Sequence, residues 1–354
     1  MTAAERIRCM LLRGGTSKGA YFLAEDLPGE AAARDDLLLR IMGSPDPRQI
    51  DGIGGAHPLT SKVAIVSASS DPAADVDYLF LQVSVDEATV SSAQTCGNLL
   101  AGVGPFAVER GLIDAGPERT TVRIRMRNTG DLAAATFATP GGVPTYDGTT
   151  RIDGVPGTAS PIDLETLESA RPLFPTGGVR ESIDGLDATL VDNGMPVVIL
   201  RAADLGVVGD ESPTALEGDD ALRARIEAVR IRAGERMGLG DVTGLTVPKM
   251  FLVSAPSGAG AIRTRGFIPH RVHTSIGVLM AASIAAAARV PGTVAAEFAR
   301  VDGGDEIRIE HPTGVFAARV GVHRDAEGAW AATSSSRRTA RPLFDGWVFP
   351  RSSL

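Results

Sequence analysis

Cysteine is nearly absent from this chain: Cys9 and Cys96 are the only two among 354 residues. Two isolated thiols give neither a disulfide framework nor the ligand spacing of a zinc site. A basic excess is missing too. The formal net charge of -8 disfavours nucleic acid and anionic membrane surfaces as partners. Any anionic substrate must then be held by local donors against the overall field. No apolar run reaches the roughly 20 residues that a bilayer requires, the longest uncharged one covering residues 275–288. Residues 1–10 lack the apolar core of a signal peptide, so a cytoplasmic protein is expected. The 41 glycines and 22 prolines are scattered rather than gathered into a linker. At roughly 100–200 residues per domain, the length suggests two domains.

Against this background Lys62 and Cys96 stand out. Leu59-Thr60-Ser61-Lys62-Val63-Ala64-Ile65-Val66 reads as a loop running into a buried strand, with the lysine at the junction. Gln94-Thr95-Cys96-Gly97-Asn98 reads as the start of a helix with a thiol in its first turn. The positive end of a helix dipole favours a thiolate there, and desolvation favours a neutral lysine. The two together make a cofactor-free acid/base pair.

The chain also repeats itself. Arg13-Gly14-Gly15-Thr16-Ser17-Lys18-Gly19 leads into an apolar run and Asp26-Leu27, as Asp192-Asn193-Gly194-Met195-Pro196 leads into another and Asp204-Leu205. Helix-like segments follow at 31–42 and 219–237. The strand opened by Lys62 is mirrored by one opened by Lys249, each closing in Ser-Ala. Each half then reaches a polar step, Thr95-Cys96-Gly97-Asn98 or His273-Thr274-Ser275, and an apolar helix, at 99–108 and 276–288. A helix apolar all round belongs inside a core. The expected architecture is α+β: two pseudo-symmetric domains, each a rolled sheet around a central helix. The expected domains are 1–186, with 340–354 as a possible addition, and 187–339. Runs at 122–126, 142–146, 189–191, 307–310 and 315–320 read as strands.

Each candidate residue has a plainer reading. Cys96 could be a small buried hydrophobe, but the Gly-Asn step after it suits a ligand brought to backbone N–H groups. Cys9, inside Ile7-Arg8-Cys9-Met10-Leu11-Leu12, fits a strand core. Lys62 and Lys249 could be surface lysines at strand starts. The glycines of 51–55 supply backbone able to approach a ligand closely. Arg13 to Gly19 lacks the glycine before lysine of a Walker A loop; it is a hairpin turn or a carboxylate cradle of Arg13, Thr16, Ser17 and Lys18. His270 and His273 lack the HExxH pattern and a nearby carboxylate ligand, so no metal site is expected. His270, Arg271, His273, Thr274 and Ser275 suit carboxylate recognition or helix capping. A two-thiol racemase needs a cysteine in each half, and none follows Cys96.

These motifs, with Met42-Gly43-Ser44-Pro45-Asp46, Gln49-Ile50-Asp51-Gly52-Ile53-Gly54-Gly55, Asp77-Tyr78-Leu79-Phe80, Val247-Pro248-Lys249-Met250 and Ile268-Pro269-His270-Arg271, resemble the methylaconitate isomerase (PrpF-like) family over nearly the whole chain. The resemblance implies a diaminopimelate-epimerase-like fold and an isomerase without cofactor. It implies Lys62 and Cys96 as catalytic residues. Carboxylate-holding positions would be Arg13, Thr16, Ser17, Lys18, Ser61, Gly97, Asn98, Asn193, His270, Arg271, His273, Thr274 and Ser275. The implied substrate is 4-oxalomesaconate, a tricarboxylate of bacterial gallate, protocatechuate and lignin-derived aromatic breakdown, undergoing keto–enol exchange or a 1,3-allylic shift. 2-Methylaconitate isomerisation and simple tricarboxylate binding are the alternatives, and a homodimer is a possible assembly. Thr95 departs from the family's Asn-Cys-Gly-Asn; it could cap the helix but not offer an amide to the substrate.

Overall fold

A computed structural model describes residues 6–168, 172–269 and 271–352, apart from the side chains of 167 and 168. The chain forms two compact units, Met1–Leu164 with Arg337–Leu354, and Glu165–Ser336. Residues 165–186, read from sequence with the first domain, fall in the second unit. Within them β9 (Glu181–Ile183) pairs with β10 (Leu186–Asp192).

The first unit is built on β1 (Ile7–Gly14), β2 (Ser17–Leu23), β3 (Lys62–Ala68), β4 (Val76–Val83), β5 (Val90–Ser91), β6 (Arg119–Met126), β7 (Leu132–Ala138) and the start of β8 (Pro161–Glu168). Antiparallel and parallel pairings alternate: β1 with β2, then β2 with β3 in parallel, β3 with β4, β4 with β6 in parallel, and β6 with β7. The other edge of β1 takes the end of the last strand, β16 (Trp330–Val348), from Ile7↔Val348 to Gly14↔Ala340. Burial follows sequence closely. The first five residues of β3 are all buried, as its continuous apolar run requires, whereas β6 alternates exposed and buried, as Arg-Thr-Thr-Val-Arg-Ile-Arg-Met alternates polar and apolar.

Inside this sheet lies α2 (Gly97–Glu109), against β1, β2, β3, β6 and β7. Its residues from Gly97 to Ala107 are all buried, so this helix is held by packing on every side rather than by one amphipathic face. Outside it, α1 (Ala31–Met42) begins where the Glu30 carboxylate accepts from the N–H groups of Ala32 and Ala33, and ends at a left-handed Gly43.

The second unit repeats the scheme. β10 pairs with β11 (Pro196–Arg201), β11 in parallel with β12 (Lys249–Ser254), β12 with β13 (Ile262–Phe267), β13 in parallel with β14 (Glu306–His311), and β14 with β15 (Gly314–Arg324). The start of β16 pairs with β15. The central helix is α5 (Val278–Arg289), buried from Val278 to Ala288, while α3 (Pro213–Glu217) and α4 (Asp220–Arg236) lie outside it. Lys62 pairs with Gly19 in one unit as Lys249 pairs with Val197 in the other.

Residues 142–146 are not a strand. Gly141 and Gly142 have φ of 67° and 84° and close a short 3-10 turn after Pro140, a left-handed path that an extended chain cannot follow. The capping roles read for Thr95, Thr274 and Ser275 are not taken up. The N-caps are Cys96 for α2 and Gly277 for α5, neither with a side-chain capping bond.

Candidate active site

Lys62 opens β3 opposite Gln82 of β4. Only 6% of it is exposed, and its Nζ donates to Gln82 Oε1 at 2.7 Å. The amide nitrogen of Gln82 is committed elsewhere, donating to Ser61 O at 2.8 Å and Pro58 O at 3.1 Å. Those two carbonyls hold the amide so that its oxygen faces the lysine. The Phe80 ring lies 5.0 Å from Nζ, a distance at which a ring face favours the ammonium. Burial acts the other way and prevails, holding the amine below its ordinary pKa, while the charge of Cys96 partly offsets it. The thiol is thus close enough to act on the lysine electrostatically.

Cys96 is half-buried and stands in extended conformation (φ -131°, ψ 101°) immediately before α2. Its carbonyl accepts from Tyr78 Oη at 3.2 Å and from Leu100 N at 3.0 Å. The Cys96 side chain makes no capping bond, so the first turn of α2 lacks the side-chain cap that usually satisfies N-terminal N–H groups. Tyr21 and Tyr78, both fully buried, are pushed well above the ordinary tyrosine range, by burial first and then by the charge of Cys96. They remain protonated donors, Tyr21 to Leu99 O at 2.5 Å. Cys9 lies in the strand core, its thiol pushed up to about 12 by burial.

The Arg13-to-Gly19 motif is the β1–β2 turn, seated on the start of α2. Thr16 N donates to Asn98 Oδ1 at 3.3 Å, and Asn98 Nδ2 donates to Thr16 Oγ1 at 3.1 Å. Gly15 has φ of 51°, and a Cβ there would lie 2.1 Å from Asn98 Oδ1, so the turn needs glycine twice over. Arg13 is half-buried and donates to Gly15 O, Thr339 O and Thr339 Oγ1. The backbone N–H of Lys18 donates to Leu59 O. Ser17 and Thr95 are each 2% exposed, and neither hydroxyl has a hydrogen-bond partner.

Ser61 is buried, its Oγ accepting from Gln49 Nε2 at 2.7 Å. That amide nitrogen also reaches Ser44 Oγ, and Gln49 Oε1 accepts from Ala56 N. The loop at 51–55 is therefore tied down. A Cβ on Gly52 would lie 2.2 Å from Gly43 N, so this glycine serves close packing of the chain on itself.

The remaining expected residues belong to the second unit. The side-chain amide of Asn193 donates to Ala282 O, and its backbone N–H donates to Ser283 Oγ. Arg271 is exposed and pairs with Glu217 at 3.6 Å. His273 is buried, its Nδ1 accepting from Ser275 N at 3.0 Å; Thr274 is exposed and Ser275 buried. His270 lies outside the described residues.

Sequence reading missed Gln82, Tyr78 and Arg338, the last donating from Nη2 to Asn98 Oδ1 at 3.3 Å. Gln82 is 20 residues from Lys62 and Arg338 is 240 from Asn98. Only strand register brings them together. In a strand through Ser334-Ser335-Ser336-Arg337-Arg338-Thr339 successive side chains take opposite faces, which was the one available sign that one of two adjacent arginines faces inward.

Paired units, each a sheet around a buried helix, define a diaminopimelate-epimerase-like fold. More narrowly, the chain belongs to the PrpF protein family, whose model matches residues 4–351. It is 54% identical to a (4E)-oxalomesaconate Delta-isomerase of Novosphingobium sp. over 96% of each chain. It is 53% identical to a 4-oxalomesaconate tautomerase of Pseudomonas putida, over 97% of this chain and 96% of the relative. The crystal structure of a methylitaconate-delta-isomerase matches with a TM-score of 0.77 at 34% identity, covering 99% of this chain and 96% of that one. The chain is an enzyme of the isomerase class. Among the described residues, no helix is long and apolar enough to cross a membrane.

Proposed function

We propose that this protein isomerises 4-oxalomesaconate by moving a proton, as keto–enol exchange or as a 1,3-allylic shift, in the breakdown of aromatic acids. The observation that carries this reading is the buried Lys62 amine in electrostatic reach of a half-buried thiol at the N-terminus of α2. The names of the relatives at 54% and 53% identity support the substrate.

The substrate's carbonyl acidifies the neighbouring C–H bond. In this reading the neutral form of Lys62, which burial favours, takes that proton. The electron pair spreads over the conjugated system as a dienolate, and the Cys96 thiol returns a proton at the far end. The thiolate and ammonium left behind exchange protons with solvent and restore the starting pair. Preorganised donors aimed at a developing oxyanion are usually the largest catalytic contribution, and the uncapped N–H groups of Gly97 and Asn98 fit that role. Catalysis by acid/base groups of this kind is typically worth about 10²–10⁴-fold each. No cofactor enters the scheme. It needs a reduced thiol, which a reducing cytoplasm maintains.

Proton NMR of 4-oxalomesaconate incubated with the protein in deuterated water tests the reading. It predicts deuterium at one carbon with loss of the starting signal. A moved double bond marks the allylic shift, and an unmoved one marks tautomerisation. An unchanged spectrum, with 2-methylaconitate turned over instead, would overturn the substrate assignment.

A further inference from the structure

Lys62 and Gln82 face each other across β3 and β4, and Phe80, two residues before Gln82, lies on the same face of the sheet. The Gln82 amide has one orientation open to it. Its Nε2 lies 2.8 Å from Ser61 O and 3.1 Å from Pro58 O, carbonyls that accept hydrogens and cannot donate them. Oε1 is therefore the atom turned to Lys62 Nζ, at 2.7 Å. The segment bearing those carbonyls is itself pinned. Ser61 O accepts a second bond from Val83 N, Ser61 Oγ accepts from Gln49 Nε2, and Leu59 O accepts from Lys18 N. Two amides in series, Gln49 and Gln82, thus fix the oxygen that meets the amine.

A neutral amine carries two hydrogens and one lone pair, and only the lone pair can take a proton. The Gln82 oxygen, an acceptor, admits only an N–H on its side of Nζ. The Phe80 ring, 5.0 Å from Nζ, presents a negative face that also favours N–H over a lone pair. Both groups stand on β4, so the lone pair is left to the side away from them. The face they share is the one that α2 covers. Ala64 and Phe80 on it belong to the core cluster that contains Leu99 and Leu100, and Cys96 packs against that cluster. Of the groups around the amine, Gly19, Phe80 and Gln82 are uncharged, and Cys96 ionises.

We propose that Gln82 is a positioning residue: its amide oxygen anchors the Lys62 amine through one N–H and so aims the lone pair of the nitrogen away from β4, toward the C–H bond to be broken. This rests on Lys62 as the base of the reading above, but not on the identity of the acid it deprotonates. Glutamine meets this need where glutamate would not, because a neutral oxygen holds the amine without a charge that keeps it protonated.

Lysine occurs only as Lys18, Lys62 and Lys249, so protein labelled with [ε-13C]lysine gives three carbon signals, and Lys62→Met identifies one of them. In the parent the Lys62 ε-carbon should relax as part of the folded core. In Gln82→Met, of similar length but without the acceptor, it should relax like a free side chain. Its titration midpoint should fall, since an acceptor favours the ammonium. A lower midpoint alone would raise activity near neutral pH. A misdirected lone pair should instead lower the limiting kcat, fitted across the pH profile, about tenfold to hundredfold with KM little changed. Gln82→Glu, which keeps an acceptor, should retain the order of Lys62 and raise its midpoint. The proposal is overturned if the parent's Lys62 ε-carbon is as mobile as an exposed lysine's, a result read without any variant. A Lys62 that stays rigid in Gln82→Met, one that turns mobile in Gln82→Glu, or an unchanged limiting kcat in Gln82→Met overturns it too. A parent that leaves 4-oxalomesaconate unchanged sinks the substrate assignment and moves the kinetic comparison to 2-methylaconitate. Loss of Lys62 order in Gln82→Met then still upholds the anchoring.

Discussion

The Lys62 amine can take a proton only after losing its own, and its surroundings pull in two directions. Burial lowers its pKa, whereas the Phe80 ring and the Cys96 charge favour the ammonium. Since the folded value lies below 10.5 and the base form is the neutral amine, kcat/KM should rise with pH through an inflection below the ordinary lysine range. The same displacement makes the unfolded chain bind more protons than the folded one between the two values. Stability should therefore gain from rising pH in that window. Gln82→Glu places a carboxylate where the amide oxygen now sits 2.7 Å from Nζ. It should move the inflection upward and lower activity at neutral pH; superimposable profiles for parent and variant would remove Lys62 from the role of base. At Cys96, replacement by serine substitutes a far weaker acid of nearly the same shape. A loss of about 10²–10⁴-fold in kcat with KM little altered is expected, and steady-state kinetics showing less than a tenfold loss would count against the thiol.

At the level of single elements, packing rather than capping decides where the central helices lie. α2 carries Gly102 under the Tyr21 ring, where an added Cβ would meet Tyr21 Oη at 2.5 Å. That hydroxyl is fixed by its bond to Leu99 O, and the ring is fully buried against Phe106 at 5.6 Å between centroids. Neither neighbour can withdraw. Gly102→Ala should cost about 1–3 kcal/mol by overpacking, although alanine is the better helix former. Denaturant titration measures this, and a midpoint at or above the parent's would show that the ring can move. Such elements were legible in the sequence to different degrees. Continuous apolar runs made β3 and α5 plain, and α1 was readable to its last residue because Gly43 stops it. The stretch at 142–146 misled because its apolar content resembles a strand, while left-handed Gly141 and Gly142 at its start set the path. The candidate site was legible where it is local, at Lys62, Cys96 and the Arg13 turn. It was hidden where partners such as Gln82 and Arg338 arrive through register.

On the scale of the whole chain, the repeat explains both the fold and its division of labour. Each unit alternates antiparallel and parallel pairings in the same sequence and wraps them around one buried helix. Only the first unit places cysteine at the helix start, so the proposed lysine–thiol chemistry belongs to that unit alone. That unit is also discontinuous in sequence, since β1 is covered on one edge by β2 and on the other by residues 340–348. A chain ending at residue 336 would leave that edge of β1 with unpaired backbone groups and remove the buried side chains of Ala340 and Val348. It would also take away Arg338. An open apolar edge of this kind invites aggregation. A folded domain is usually stable by only about 5–15 kcal/mol, which leaves little reserve against the loss of a paired strand. The shortened chain should therefore fail to fold its first unit, while residues 165–336 keep every strand pairing from β9 to β15. Hydrogen exchange read peptide by peptide checks this. Protection should vanish from residues 7–14 and 97–109 but persist in 278–289, and retained protection at 7–14 would show that β16 is dispensable to the sheet it completes.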